Sequence, residues 1–127
     1  MVYLAKTISL AALKILVHLD DAGLRASYSF IPISFPASSV ATPNRKGTAP
    51  LPDDWAKVPT PVACASYGDD WAASGDSLIL RVPSAIVPWE SNFLLNPAHS
   101  DWSKVKVCEV QSFDFDSRLI EIMDDEE

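Results

Sequence analysis

The chain has 127 residues, a net charge of −7 and 48% apolar residues, which is typical of one soluble globular domain. The negative charge argues against nucleic-acid binding, because such binding requires clustered lysine and arginine to replace the counterions of the phosphates. The apolar run over 8–19 is interrupted by Ser9, Lys14 and His18 and is too short and too polar to span a bilayer. We therefore expect no membrane segment.

The N-terminus and the cysteines indicate a reducing compartment. No basic segment precedes the apolar run and no small-residue cleavage site follows it, so no signal peptide is recognised and a cytoplasmic location is expected. There, Cys64 and Cys108 are expected to be buried thiols and not a disulfide. With no CxxC or HxxxH spacing, no metal site is expected. Residues 121–127 are interpreted as a solvated acidic tail after one domain over 1–120.

The spacing of apolar residues predicts the regular elements. In chain order these are a strand over 1–5, a helix from the N-cap Thr7 to about Leu19, a strand over 25–35, a loop over 36–59, a helix from the Thr60-Pro61 pair to Ser74, a strand over 77–82 that stays extended to Pro88, and strands over 105–110 and 113–115.

Glycine, proline and large apolar residues refine this assignment. Gly23 and Gly75 are expected to end the two helices, and the prolines at 32 and 36 place the strand over 25–35 at a sheet edge or a strand end. Leu51 and Trp55 are candidates to anchor the long loop to the core. The order of elements predicts an α+β fold with a mixed sheet and flanking helices, and not a regular βαβ array.

Three pairs of stretches form a recognisable pattern. They are VYLA with ALKILVHL (2–5 and 12–19), GDDWA with LRVPSA (68–72 and 80–85), and NFLLNPAH with FDFDSRL (92–99 and 113–119). In order and spacing they resemble the RES-domain family, the toxin half of bacterial Xre–RES toxin–antitoxin pairs. The resemblance extends over essentially the whole chain, which is identified as an N-terminally shortened member.

The resemblance implies a fold, a substrate and a partner. It implies an ADP-ribosyltransferase-like fold with NAD bound as substrate in a cleft, and no metal. Family members break the nicotinamide–ribose bond with water or phosphate as acceptor, or transfer ADP-ribose to a protein. The implied partner is an Xre-type antitoxin, and a homodimer is a further candidate assembly.

The resemblance also assigns site residues. Tyr3 corresponds to the tyrosine that lines the nicotinamide pocket, and Ser84 to the family's serine, a ligand contact. The family's glutamate, eleven residues after the tyrosine, is replaced by Lys14. The family's arginine lies before the first strand found here. Nothing in the sequence places any other arginine in its role, among Arg25, Arg45, Arg81 and Arg118.

Lys14 matters because of the charge that NAD cleavage creates. As nicotinamide leaves, positive charge develops on the ribose ring, and a carboxylate stabilises it as in glycosidases. At ~4 Å and an effective dielectric constant near 20, one such contact contributes about 4 kcal/mol, so a reversal of its sign costs up to roughly twice that. Each ~1.36 kcal/mol is a factor of about ten in rate. The sequence therefore predicts impaired catalysis.

Two functions stay open from the sequence: an impaired NAD-cleaving toxin, and a non-catalytic RES remnant that binds an antitoxin or a second protomer. Each candidate residue also has a structural interpretation. Tyr3 would be a core aromatic, Lys14 a solvated helix residue and Ser84 a turn residue. His18 is interpreted as a structural helix histidine, and residues 2–5 as an exposed edge strand. The polar residues near Pro97 are interpreted as fixing a loop: Asn92, Asn96 and His99. The tryptophans are interpreted as packing in the core or at its rim: Trp71, Trp89 and Trp102.

Overall fold

The computed structural model describes residues 1–43, 50–56 and 62–119, with only the backbone described at 62, 63 and 65. Short 3-10 turns occur at Ala37–Ser39 and Trp102–Lys104. The helices and strands are, in chain order, β1 (Val2–Ala5), α1 (Ile8–Leu16), α2 (Asp21–Arg25), β2 (Ser27–Phe30), β3 (Ile33–Ser34), β4 (Val40–Ala41), α3 (Val62–Ser74), β5 (Ile79–Pro83), β6 (Ser91–Leu95), β7 (Lys106–Val107) and β8 (Gln111–Asp114).

The main sheet has the strand order β1-β6-β5-β4. Strand β6 pairs antiparallel with both β1 and β5, whereas β4 pairs parallel with β5. Two small antiparallel ribbons, β2 with β8 and β3 with β7, accompany this sheet. The mixed sheet and its helices confirm the predicted α+β class, and β1 is an edge strand of the main sheet, as expected.

The two faces of the main sheet are buried in separate apolar clusters, because successive side chains of a strand point to opposite faces. On one face, Leu80 and Leu94 pack with Trp71 of α3. On the other face, Ile79 and Leu95 pack with side chains of β3, β4 and the turn at 102–104. The sheet is therefore the middle layer of the described structure.

Helix α3 is held to the sheet by polar contacts as well as by Trp71. The Trp71 indole donates to Ser77 Oγ at 2.8 Å, and the Asn96 side-chain amide donates to the carbonyl of Ala72 at 2.9 Å. Gly75 ends the helix with φ of +66°, as predicted, because glycine adopts this left-handed conformation without steric cost. The predicted Thr60-Pro61 start lies outside the described residues.

The first helix is shorter than predicted. Thr7 caps it, accepting a bond from the Leu10 N–H at 3.1 Å, but the helix ends at Leu16 instead of about Leu19. The reason is a second cap, because Asp20 accepts a bond from the Gly23 N–H at 2.8 Å and starts α2. Gly23 lies within α2, so the prediction that it ends the first helix was wrong.

The predicted strand over 25–35 is interrupted. Strand β2 pairs with β8 and strand β3 pairs with β7, and the chain changes partner at Pro32. Proline has no N–H to donate to a ladder, while the Pro32 carbonyl accepts a bond from the Cys108 N–H at 2.9 Å. The predicted edge or end at Pro32 is therefore confirmed, and a continuous strand was wrong.

Two strands of the main sheet were not predicted. Both faces of strand β6 are buried, and its sequence therefore contains a continuous apolar run, F-L-L, without alternation. Strand β4, with two residues, is too short to show a period and lies in the segment predicted to be loop. The extended segment predicted up to Pro88 is instead a turn after Pro83, and the strand predicted over 105–110 is limited to Lys106–Val107.

The solvent exposure of the cysteine and tryptophan side chains tests the predictions made for them. Cys64 and Cys108 are free thiols, as predicted, but both are only partly buried. Trp71 is buried and Trp102 is half-buried against the second cluster, whereas Trp89 is 97% exposed, so a packing role for it was wrong. The acidic tail predicted at 121–127 lies outside the described residues.

The cap at Thr7 gives a first prediction. Replacing Thr7 with alanine removes the acceptor for the Leu10 N–H, so we expect Thr7→Ala to lower the free energy of unfolding by about 1 kcal/mol in a urea titration. The control is Ser9→Ala, at an exposed position in the same helix. An equal loss in both variants would contradict the importance of the cap.

Candidate functional site

Tyr3 is an exposed aromatic residue in the edge strand of the sheet. It pairs with Leu94 on β6, and its side chain is 61% exposed. Its hydroxyl lies 4.0 Å from the position that a Cβ on Gly68 of α3 would occupy, so it is on the face of the sheet that α3 covers. This exposure excludes the core interpretation of Tyr3 and leaves its ring available to a ligand.

A cavity of about 400 Å³ lies beside Tyr3. Its volume is within the usual range of small-molecule sites, ~300–1,000 Å³. Backbone and side chains of β1, the first turn of α1 and the segment around β3 line it, including Tyr3, Lys6, Ile8, Phe30 and Phe35. The lining is mainly apolar, as suits a flat aromatic ring.

Lys14 is not among the residues that line this cavity. Ile8 and Ala11 line the cavity, whereas Lys14 lies one turn after Leu10, the one fully buried residue of α1. The lysine is half-buried, and desolvation lowers its pKa. No ion pair joins it to a carboxylate among the described side chains, so its position is not that of a fully solvated surface lysine.

Ser84 organises the turn between β5 and β6. It is 1% exposed, and its Oγ accepts bonds from the N–H groups of Ile86 and Val87, both at 3.2 Å. Its own N–H donates to the Glu90 carbonyl at 2.9 Å. These contacts fit the interpretation of Ser84 as a turn residue, because both hydroxyl lone pairs are engaged by the backbone.

The sheet brings the ends of β1 and β5 to the same side of the molecule. Lys6 N–H donates to the Ser91 carbonyl at 3.2 Å, and Ser91 pairs with Pro83 on the other side of β6. The start of α1 and Ser84 thus flank the first residue of β6. No hydrogen bond links Tyr3, Lys14 and Ser84 to one another in the described part of the chain.

Three of the four arginines can be located. Arg25 pairs with Asp21 at 3.1 Å, and Arg118 pairs with Asp116 at 2.9 Å, which lowers the pKa of Asp116 to about 2. These contacts stabilise a helix and a turn. Arg81 differs, since its Nε donates to Ser91 Oγ at 2.8 Å. Arg45 lies outside the described residues.

Arg81 lines a second cavity, of about 500 Å³, beyond the end of β4. Trp55, Trp89 and the acidic residues Asp53 and Glu90 line it too. Sequence reasoning did not select Arg81 for any site, and the available signal was its place among apolar neighbours on β5. One cationic and two acidic side chains line this cavity, so its charge does not favour anions alone.

The polar residues of the N-F-L-L-N-P-A-H stretch have different roles. Asn96 Oδ1 accepts a bond from the Ala98 N–H at 3.1 Å, and His99 Nδ1 accepts one from the Asp101 N–H at 2.9 Å, which confirms loop fixation for these two. Asn92 makes no such contact. His18 follows α1 and is exposed, so its interpretation as a helix histidine was wrong.

No three histidine, cysteine, aspartate or glutamate side chains in the described ranges come close enough together to hold a metal ion. Within the same ranges, every helix is too short or too polar to cross a membrane.

The turn at Ser84 gives a second prediction. Ser84→Ala leaves the N–H groups of Ile86 and Val87 without their acceptor, so we expect the free energy of unfolding to fall by about 1–3 kcal/mol. Urea denaturation measures this loss. The control is Ser112→Ala, at an exposed position on β8, and a loss no larger than that of the control would show that water replaces the hydroxyl.

Comparisons with known proteins agree with this architecture. The family model for the RES domain matches residues 1–116. A Prs ADP-ribosylating toxin of Sphingobium is 36% identical over 119 residues, which cover 94% of this chain and 74% of the relative. A Toxin Res of Photorhabdus laumondii is 36% identical over 121 residues (94% and 75%), and a Toxin Res of Pseudomonas putida is 31% identical over 125 residues (93% and 78%). The chain therefore belongs to the RES-domain family.

Proposed function

We propose that this chain is a toxin-type RES domain that binds NAD in the cytoplasm of a bacterium and cleaves it slowly. The observation that carries the proposal is Lys14, a half-buried cation without a carboxylate partner among the described residues, at the position where the family resemblance places a glutamate. The names of the relatives, which include an ADP-ribosylating toxin, support NAD as the substrate.

The proposed reaction breaks the bond between C1′ of the ribose and the nicotinamide nitrogen. The electron pair of that bond leaves with nicotinamide, which becomes neutral, and positive charge spreads over C1′ and the ring oxygen. Water, phosphate or a protein side chain then attacks C1′ and loses a proton. Tyr3 contributes an exposed ring on the face of the sheet that α3 covers, and the nicotinamide ring packs against it.

Lys14 opposes this reaction in two ways. Its charge repels the positive charge that develops on the ribose, and its partial burial strengthens that repulsion because the local dielectric constant is lower than that of water. The lowered pKa has the same origin, since burial disfavours the charged form. No other described residue is placed by the resemblance to supply the missing carboxylate.

The proposal predicts recovery of activity by one substitution. We expect the purified chain to release nicotinamide from NAD slowly, and Lys14→Glu to raise the rate at least about tenfold, because a favourable charge replaces a repulsive one. Nicotinamide release is measured with and without phosphate, which identifies the acceptor. The matched control is Lys106→Glu, the same charge change at an exposed position on β7, with the rate unchanged.

Fast turnover by the unaltered chain would contradict the role of Lys14. Equal, slow rates in the chain and in folded Lys14→Glu would instead indicate that a group other than Lys14 limits catalysis. Absence of NAD binding in all variants would favour the alternative function, that of a non-catalytic RES remnant that binds a partner protein.

That second function, binding of an antitoxin, is favoured by a specific surface. The α1 hollow, which we define by Ile8, Ala11, Ile15 and Phe113, is a small apolar depression of about 90 Å³ between α1 and the β2–β8 ribbon. Ile8 is 50% exposed and Ile15 is 40% exposed at its rim. Exposed apolar side chains around a depression are typical of protein-binding surfaces. An Xre-type antitoxin is the proposed partner.

We expect Ile15→Lys to abolish copurification with the coexpressed Xre-type antitoxin, because a charge would be buried in an apolar contact. The control is Val110→Lys, at a position that is 60% exposed and lies outside the hollow. Circular dichroism checks that both variants fold. Retained copurification by folded Ile15→Lys would exclude this surface.

A further inference from the structure

The Oδ1 atom of Asn92 is the one buried side-chain nitrogen or oxygen without a hydrogen-bond partner in the described part of the chain. This atom is shielded from solvent and accepts no hydrogen bond, although the residue as a whole is only half-buried. Native proteins pair nearly all buried polar atoms, because an unpaired acceptor loses its bonds to water and gains nothing in return. The group therefore has a destabilising effect that its own fold does not compensate.

Asn96, four residues later in the sequence, is an asparagine with a structural role. It is 4% exposed, its Nδ2 donates to Ala72 and its Oδ1 accepts from Ala98. Both ends of that amide are satisfied, and they join β6 to α3 and to the following turn. The two asparagines belong to the same strand segment, so the difference lies in the partners around them.

The position of Asn92 places it beside Tyr3. Asn92 pairs with Ala5 on one side and with Val82 on the other, and Tyr3 pairs with Leu94 in the adjacent row. Tyr3 and Asn92 are thus diagonal neighbours on the same face of the sheet, at a distance of roughly 7–8 Å between backbones, which long side chains can bridge. Ala5, which pairs with Asn92, has only a methyl group and therefore offers the amide no side-chain hydrogen-bond donor.

We propose that Asn92 is a substrate-contacting residue whose carboxamide oxygen accepts a hydrogen bond from the carboxamide NH₂ of nicotinamide. The inference rests on the proposed NAD-binding function and adds the residue that recognises the leaving group. An acceptor selects a donor, and NAD carries donors on its carboxamide, its ribose hydroxyls and its adenine, while its phosphates carry none. Tyr3, the neighbour of Asn92, is the residue that the resemblance assigns to the nicotinamide end.

This contact orients the ring for departure. A hydrogen bond to the carboxamide fixes the rotation of the pyridine ring above Tyr3, and it distinguishes a carboxamide from a carboxylate. A carboxylate in the same place offers no donor and brings two acceptors against the Asn92 oxygen. A site that relies on such a bond rejects the analogue that lacks the donor.

The test compares three ligands on the full chain: NAD, nicotinic acid adenine dinucleotide and ADP-ribose. Calorimetry is expected to show that the unaltered protein binds NAD about tenfold more tightly than the carboxylate analogue. In Asn92→Leu this preference disappears, while the affinity for ADP-ribose, which has no nicotinamide, changes less than about twofold. The melting temperature of Asn92→Leu rises, because an apolar side chain of similar size replaces the unpaired amide.

Two further variants keep the test decisive. Asn92→Asp retains the shape and an acceptor and adds a negative charge, so it is expected to widen the preference for NAD over the carboxylate analogue. Asn96→Leu is the matched control, expected to lower the melting temperature and to leave the preference unchanged.

The outcomes separate the two proposals. If folded Asn92→Leu keeps the full preference for NAD, or if Asn92→Asp does not widen it, the role of Asn92 is wrong while NAD binding stands. If the unaltered chain binds neither NAD nor ADP-ribose, the proposed function and the role of Asn92 are both overturned.

Discussion

The pairing of β6 with both of its neighbours is the constraint on which the rest of the structure depends. Strand β6 holds β1 on one side and β5 on the other, and the two sheet faces on either side of it are buried in different clusters. Because its register is fixed by apolar residues on both faces, a shift by one residue would move Leu94 and Leu95 each to the opposite face and disrupt both clusters. The same register places Asn92 next to Ala5 and brings the start of α1 near Ser84.

The second consequence of this pairing is that the candidate site is assembled from distant parts of the sequence. Tyr3 comes from β1, Ser84 from the turn after β5, and Asn92 from β6. Each position is rigid for a different reason: strand pairing for Tyr3 and Asn92, and three turn hydrogen bonds for Ser84. A ligand at Tyr3 therefore meets groups that the fold has already positioned, which reduces the entropy lost on binding.

The sequence predicted those features that depend on local chemistry. The cap at Thr7, the end of α3 at Gly75 and the edge strand β1 follow from a side-chain acceptor, a left-handed glycine and a β-prone segment, and all three were found. The predictions that failed did so because the features depend on residues distant in the sequence. Strand β6 has no alternation because both its faces are buried, and the break at Pro32 depends on which partner strand each half meets. The unpaired oxygen of Asn92 could not be predicted, because pairing depends on neighbours from three strands.

The charge at Lys14 and the unpaired amide at Asn92 together suggest a site whose binding and catalytic parts have separated. Binding of nicotinamide relies on apolar contact and on neutral hydrogen bonds, which a nearby ammonium weakens little. Cleavage relies on stabilising a positive charge that develops only in the transition state, and the ammonium of Lys14 repels that charge. Under the proposed function, the chain retains affinity for NAD while it loses turnover. Selection for sequestering NAD would preserve Tyr3 and Asn92 and would place no demand on a carboxylate at position 14.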